Sequence, residues 1–264
     1  HFPKPGETVL CATDYLSRTG GKGSNQAVAA TRAGGKVAIV GKVGDDGFGR
    51  RCISNLKSQS VWTAGIGVSE RPTGCATIAV DSRGANFVMV APGANFDVTA
   101  DQAPDEVLGK QSIVLTQLEV TPTESYTVLK RAHKLGAITI LNASPAHTLP
   151  RDVLSCVDYL VVNEIEALQV AAGLGITAKD VLDLARQMAA LVANITVIIT
   201  LEARGSVAAR GDKIWATQAL KVEAVDTTGA GDAFCGIFAA GLQAGLDWLA
   251  ALHRASAGAS LSCL

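Results

Sequence analysis

Residues 159–200, YLVVNEIEALQVAAGLGITAKDVLDLARQMAALVANITVIIT, carry the reading that decides the fold. Tyr159–Asn163 and Ile195–Thr200 are short apolar runs rich in β-branched residues. Such runs read as strands buried on both faces, the kind found in a parallel sheet covered by helices. Between them, over 179–192, Val181, Leu182, Ala185, Met188, Ala189 and Val192 recur every three or four residues and form one apolar stripe of helical period. Outward from this stretch the pattern repeats. Val37–Val43, Ser112–Leu118 and Ala137–Asn142 read as further buried strands, and Pro122–Leu135 as a further helix. The fold class this implies is α/β, a parallel sheet flanked by helices.

One region departs from the alternation. Gly74–Ala91 holds two strand-like runs, 75–80 and 86–91, around the turn Asp81-Ser82-Arg83-Gly84, which reads as a hairpin. With Thr8–Tyr15 it could build a small separate sheet, a cover over a cleft in the α/β body.

The chain of 264 residues is 48% hydrophobic and 18% charged, enough for one large domain or one with a small appendage, and too little for three. Its 23 basic and 24 acidic side chains leave no cationic surplus for a phosphate backbone, which argues against nucleic-acid binding. The longest nearly uncharged apolar stretch, Ala233–Leu246, falls short of the ~20 residues that span a bilayer. Six scattered cysteines show neither zinc-site pairs nor a disulfide framework, so reduced thiols in the cytoplasm are expected. The chain opens on His1 without a basic-then-apolar leader, and some natural residues are expected to precede it.

Common signatures are missing. No G-x-x-x-x-G-K-[ST] occurs, no G-x-G-x-x-G follows the first strand, and no G-x-S-x-G is present. The four histidines, His1, His133, His147 and His253, lie far apart in sequence and at no metal-ligand spacing. Two glycine-rich segments remain.

Gly20-Gly21-Lys22-Gly23-Ser24-Asn25-Gln26 stands directly before an Ala-rich helical run. It reads either as backbone brought close to a ligand that Lys22 and Asn25 hydrogen-bond, or as a flexible turn with Ser24 as helix cap. The second segment, Asp226-Thr227-Thr228-Gly229-Ala230-Gly231-Asp232, precedes an apolar helix. Free N–H groups of Gly229, Ala230 and Gly231 at a helix start form an anion site suited to a phosphoryl group in transfer. Asp232, in the first turn, would accept a proton from an attacking hydroxyl. Capping alone explains one carboxylate, but not the three small residues or Asp226.

Together the two segments resemble the two signatures of the ribokinase-like (PfkB) family of sugar kinases. Pro5-Gly6-Glu7-Thr8, Gly44-Asp45-Asp46-Gly47-Phe48-Gly49, Ala91-Pro92-Gly93-Ala94-Asn95, Gln117-Leu118-Glu119 and Asn163-Glu164-Ile165-Glu166 follow in the order that family shows. Gln26 after Asn25 is similar to its ribose-phosphorylating members.

The resemblance implies a three-layer, Rossmann-like sheet with a small β-sheet lid. It implies one kinase domain over 1–264 with lid strands within 8–15 and 74–91, its first strand and a sugar-contacting Asp expected before His1 and further ligands after Leu264. The implied activity is ATP-dependent phosphorylation of a sugar hydroxyl, with D-ribose giving ribose 5-phosphate. A nucleoside, fructose, a keto-deoxy sugar acid or a sugar phosphate are alternative acceptors, and a catalytically silent sugar-binding relative is a further alternative. Asp232 matches the general base, and Gly229, Ala230 and Gly231 the anion hole. Gly21, Lys22, Gly23, Ser24, Asn25, Glu119 and Asp232 match the sugar site. Asn163, the loop Thr200, Leu201, Glu202, Ala203, Arg204, Gly205, then Gly231 and Ser256 match the nucleotide site. Glu166 matches a water-mediated magnesium contact, while Asp226, Thr228 and Ser262 match a potassium site. Glu202-Ala203-Arg204 is more charged than that loop usually is, so its backbone is the expected contact. The implied ligands are sugar, ATP, Mg²⁺ and K⁺, and the implied assembly is a homodimer through the lid.

Overall fold

A computed structural model describes residues 6–11, 14–81 and 86–264. In chain order its elements are α1 (Lys22–Arg32), β1 (Ala38–Gly44), α2 (Gly47–Ser58), β2 (Trp62–Ser69), β3 (Cys75–Val80), β4 (Asn86–Ala91) and β5 (Ile113–Thr116). There follow α3 (Pro122–Leu135), β6 (Ile138–Asn142), α4 (Arg151–Leu154), β7 (Tyr159–Asn163), α5 (Glu164–Gly173), α6 (Val181–Ala189) and β8 (Thr196–Thr200). The chain closes with β9 (Ser206–Arg210), β10 (Lys213–Thr217), α7 (Ala230–Gln243) and α8 (Trp248–Leu261).

The main sheet has six strands in the order β10-β9-β8-β7-β6-β5. β5 to β8 run parallel, while β9 and β10 are added antiparallel. Side chains alternate across it. Leu160, Val162, Val197 and Ile199 point into a core shared with α3, α5 and α6. Tyr159, Val161, Ile198 and Ala208 point into a second core shared with α7 and α8. This two-sided burial makes the strands apolar at nearly every position, and it produces the α/β sandwich expected from the pattern.

Helix ends follow local chemistry. α3 starts at Pro122, where a missing N–H costs nothing, and stops at left-handed Gly136. α6 begins at 181 rather than 179, because Asp180 Oδ1 accepts the N–H groups of Leu182 and Asp183, both at 2.9 Å.

Two expectations need correction. Val37–Val43 was read as buried on both faces, yet β1 pairs parallel with β2 outside the main sheet and is alternately exposed. Thr8–Tyr15 forms no strand over its described residues. β3 and β4 pair with each other, no strand is recorded against 8–11 or 14–15, and Leu10 and Tyr15 stand exposed, so strand propensity there finds no ladder. The hairpin itself forms, from Cys75↔Ala91 to Val80↔Asn86; its turn residues 82–84 lie outside the described residues.

Candidate active site

Two helix starts meet at the C-terminal ends of the parallel strands, where ligands of open α/β sheets bind. β6, β7 and β8 end on the polar residues Asn142, Asn163 and Thr200, all lining one cleft of about 210 Å³. Lys22, Glu166, Gly229, Gly231 and Asp232 line the same cleft.

α1 begins at Lys22 after Gly21, and Ser24 lies inside the helix, so Ser24 is not its cap. The Lys22 N–H donates to Glu119 Oε2 at 3.1 Å, joining two expected sugar-site residues 97 positions apart. Gly23 leaves room for Gln117, whose Oε1 would lie 3.3 Å from a Cβ placed there.

α7 begins after left-handed Gly229, with Asp232 in its first turn. The Ala230 N–H donates to the Thr227 carbonyl at 3.2 Å, a bond that closes the turn. Among the described residues, the N–H groups of Gly229 and Gly231 take no backbone acceptor, and these two residues, not Ala230, line the cleft. Of the three amides expected at an anion site, those of Gly229 and Gly231 are thus left without a backbone partner at the cleft, while that of Ala230 closes the turn.

Asp232 is only 8% exposed. Its Oδ2 accepts from Asn25 Nδ2 at 2.9 Å and its Oδ1 from Gln26 Nε2 at 3.0 Å. The helices approach closely enough for this because Gly236, one turn after Asp232, has no side chain: a Cβ there would sit 2.3 Å from the Gln26 carbonyl oxygen. Buried Cys235 also lines the cleft, and its burial, then the Asp232 charge, push its thiol far up.

On the opposite wall Asn163 and Glu166 form a capping box. Asn163 Oδ1 accepts the Glu166 N–H at 2.7 Å, and the Asn163 N–H donates to Glu166 Oε2 at 2.9 Å. The capping box forms, and it leaves both residues in the lining of the cleft. After Thr200 the loop turns on Leu201 N–H to the Gly205 carbonyl, 2.7 Å. Gly205 has φ +96°, and a Cβ on it would lie 1.9 Å from the Thr217 carbonyl oxygen, so only glycine fits. Arg204 pairs with Glu164 at the start of α5. Leu201, Glu202, Ala203, Arg204 and Gly205 stand beside the cleft rather than in its lining. Ser256 also lies outside the lining: it is buried in α8 with its hydroxyl donating to the Gln218 carbonyl at 3.2 Å.

Of the residues expected at a potassium site, Asp226 is tied to the end of α8. The N–H groups of Val225 and Asp226 donate to the Cys263 carbonyl at 2.8 and 3.2 Å, which fastens Asp226 to the segment that carries Ser262. Thr228, through its side chain and its N–H, and then Arg18 at 3.9 Å, hold the Asp226 carboxyl below its ordinary range. The site residues that sequence reasoning missed are Asn142, Ser144, Val161, Val162 and Cys235. The legible signal for Asn142 was a polar residue closing an apolar strand.

The profile of pfkB family carbohydrate kinases matches residues 2–264. The Bacillus subtilis (strain 168) ribokinase is 38% identical over 263 residues, covering 98% of this chain and 86% of its own. The Schizosaccharomyces pombe ribokinase is 37% identical over 249 residues, covering 89% and 78%. The crystal structure of ribokinase from Thermotoga maritima superposes with a TM-score of 0.90 at 29% identity over 100% of this chain and 86% of that one. With the Asp232 carboxylate, the Gly229 and Gly231 amides and the strand-end cleft in the arrangement described, the chain belongs to the pfkB family of carbohydrate kinases.

Proposed function

We propose that the chain phosphorylates D-ribose with ATP, Asp232 taking the proton of the 5-hydroxyl. The observation that carries this is the Asp232 carboxylate, held by Asn25 and Gln26 beside the Gly229 and Gly231 amides. The ribose oxygen forms its bond to the γ-phosphorus as the bond to the β,γ-bridging oxygen breaks, ADP leaves with that electron pair, and the hydroxyl proton passes to Asp232. Such a loose transition state asks for placement and charge stabilisation more than for a strong base. The two amides and the helix start receive the γ-phosphoryl oxygens. Lys22, Asn25 and Glu119 orient the sugar. Support comes from the ribokinase of Arabidopsis thaliana solved with ribose and ATP, 28% identical at a TM-score of 0.86, and from the 38% identical Bacillus subtilis ribokinase.

The residues present fit the implied ions. Glu166 uses Oε2 for the capping box and keeps Oε1 for a water of magnesium's shell. Among the described residues no group of three or more His, Cys, Asp or Glu could hold a metal. Magnesium bound with ATP neutralises phosphate charge. Asp226 and the carbonyls of Thr228 and Ser262 are hard oxygen donors suited to potassium.

The exposed apolar side chains of β3 and β4, among them Ile78, Val80, Phe87 and Val90, favour pairing with a second copy, which sedimentation at micromolar concentration reads directly. All six cysteines are unpaired, which supports placement in the cytoplasm, where thiols stay reduced. No described helix is long and apolar enough to cross a membrane.

The test is ADP release with ATP, Mg²⁺ and K⁺ across ribose, 2-deoxyribose, fructose, adenosine and fructose 6-phosphate. Deoxyribose enters because a Salmonella typhi deoxyribokinase is 35% identical. Ribose should give the highest kcat/KM, and Asp232→Asn should lower kcat by roughly 10²–10⁴. Another acceptor in first place overturns the ribose assignment, and near-wild-type turnover of Asp232→Asn overturns the base.

A further inference from the structure

Gln26 is a polar side chain that the cleft does not use. It is 1% exposed and absent from the lining, yet every hydrogen-bonding group it has is engaged. Its Nε2 donates to Asp232 Oδ1 and to Asn142 Oδ1, each at 3.0 Å, and its Oε1 accepts from Gln117 Nε2. Four elements meet in this cluster: α1, α7, the end of β6 and the segment after β5.

The cluster has a direction that its Asn142 end sets. Asn142 Nδ2 donates to the Val161 carbonyl at 3.1 Å, so Asn142 turns its oxygen toward Gln26. Gln117 presents an N–H to Gln26 from the other side. Gln26 can satisfy both neighbours only with its oxygen toward Gln117 and its nitrogen toward Asn142, and that same nitrogen then faces Asp232. A flipped amide would set its oxygen against the Asn142 and Asp232 oxygens and its N–H₂ against that of Gln117, on a buried side chain. Asp232 therefore meets a donor on Oδ1 at all times, in an orientation it does not itself impose.

We propose that Gln26 is a positioning residue for the phosphoryl-transfer step. Held by Gln117 and Asn142, it pins Asp232 Oδ1 and keeps the carboxylate aimed at the acceptor hydroxyl, while Asn25 pins Oδ2. The inference rests on the reading of Asp232 as base. It goes beyond that reading because Gln26 touches neither sugar nor nucleotide and acts only through Asp232. A carboxylate held on each oxygen by a fixed donor keeps the sub-ångström placement that proton transfer needs.

The test compares Gln26→Glu, Gln26→Met and Asp232→Asn with the wild-type chain, measuring kcat and ribose KM from pH 5 to 9 alongside thermal melting. Gln26→Glu replaces the donor by a carboxyl group against Asp232, so the pair shares a proton. The acid limb of kcat/KM should then rise by about one pH unit or more. The other ionisable groups of the cleft, Lys22, Glu166 and Cys235, and Glu119 on the Lys22 N–H, are the same in the variant and the wild type. Gln26→Met keeps the volume and removes the donor. It should lower kcat by roughly 10-fold or more while ribose KM stays within about threefold, because binding contacts remain and orientation is lost.

A folded Gln26→Glu with the wild-type acid limb overturns the proposal. Where that variant does not fold, Gln26→Met with wild-type kcat overturns it, and a selective fall in kcat upholds it. Asp232→Asn separates the two readings. If it keeps wild-type kcat, the base assignment fails and takes the role of Gln26 with it; if it is inactive while both Gln26 variants behave as wild type, only the positioning role fails.

Discussion

Adding one methyl group at Gly236 tests whether the packing of α1 on α7 sets the geometry at Asp232. The new Cβ would lie 2.3 Å from the Gln26 carbonyl oxygen and 2.8 Å from the Ala30 nitrogen, where ordinary contact begins at 3.4 Å. Both obstacles are main chain, so no rotamer relieves them, and α1 must retreat from α7 by about 1 Å. The hydrogen bonds from Asn25 and Gln26 to Asp232, 2.9 and 3.0 Å, cross the same interface. Stretched by that amount they reach about 4 Å and cease to be hydrogen bonds. Overpacking costs about 1–3 kcal/mol, and alanine's advantage over glycine inside a helix returns about 1. The net loss, on the order of 0–2 kcal/mol, corresponds to a Tm lowered by at most roughly 8 °C. Activity should suffer more, since a displacement near 1 Å at a reacting group costs about 10²-fold in rate. The assay is ADP release at saturating ribose and ATP beside thermal unfolding of Gly236→Ala. A Tm lowered as stated with kcat within about twofold of wild type would refute the link between helix packing and the carboxylate.

Asp46 ties the start of α2 to the segment leading into β3. It accepts from the Thr73 N–H and hydroxyl, both at 2.7 Å, and from the Gly49 N–H at 2.8 Å. The Thr73 N–H above all, then that of Gly49, hold its carboxyl down at about 2. A folded-state value below the unfolded one of about 3.9 gives stability that is complete above that pH and is lost as pH falls toward 2. Melting curves between pH 5 and 2 should therefore decline less steeply for Asp46→Asn than for wild type, and equal slopes would remove Asp46 from the acid response. In the loop after Thr200, proposed to bind nucleotide, Gly205→Ala places a Cβ 1.9 Å from the Thr217 carbonyl oxygen at φ +96°, a distortion costing about 2 kcal/mol or more. Its ATP KM should rise while ribose KM holds, and calorimetric titration showing unchanged ATP affinity would separate this loop from nucleotide binding.

Much of this protein was legible in its sequence, for reasons that differ from element to element. β7 and β8 show because a strand buried on both faces is apolar at every position, and α3 shows because proline and glycine mark its two ends. The box of Asn163 and Glu166 and the turn before Asp232 are local, fixed by neighbours within a few residues. Less visible were β9 and β10, whose run Ser-Val-Ala-Ala-Arg and its partner are short and weakly patterned, and α2, whose apolar stripe is thin. Thr8–Tyr15 carried the propensity of a strand without a partner to pair with.

Period, capping and turn chemistry act over a few residues, so sequence alone determined the α/β class, the helix ends and the identity of the candidate base. Distance across the chain is another matter. Asn25 and Gln26 reach Asp232 over separations of 207 and 206 residues, and Gln26 reaches Asn142 over 116. Those meetings depend on how closely two helices can pack, which a missing side chain at Gly236 permits and no local pattern announces. Only the tertiary structure decided that Gln26, the last residue of the first glycine-rich segment, is buried against Asp232.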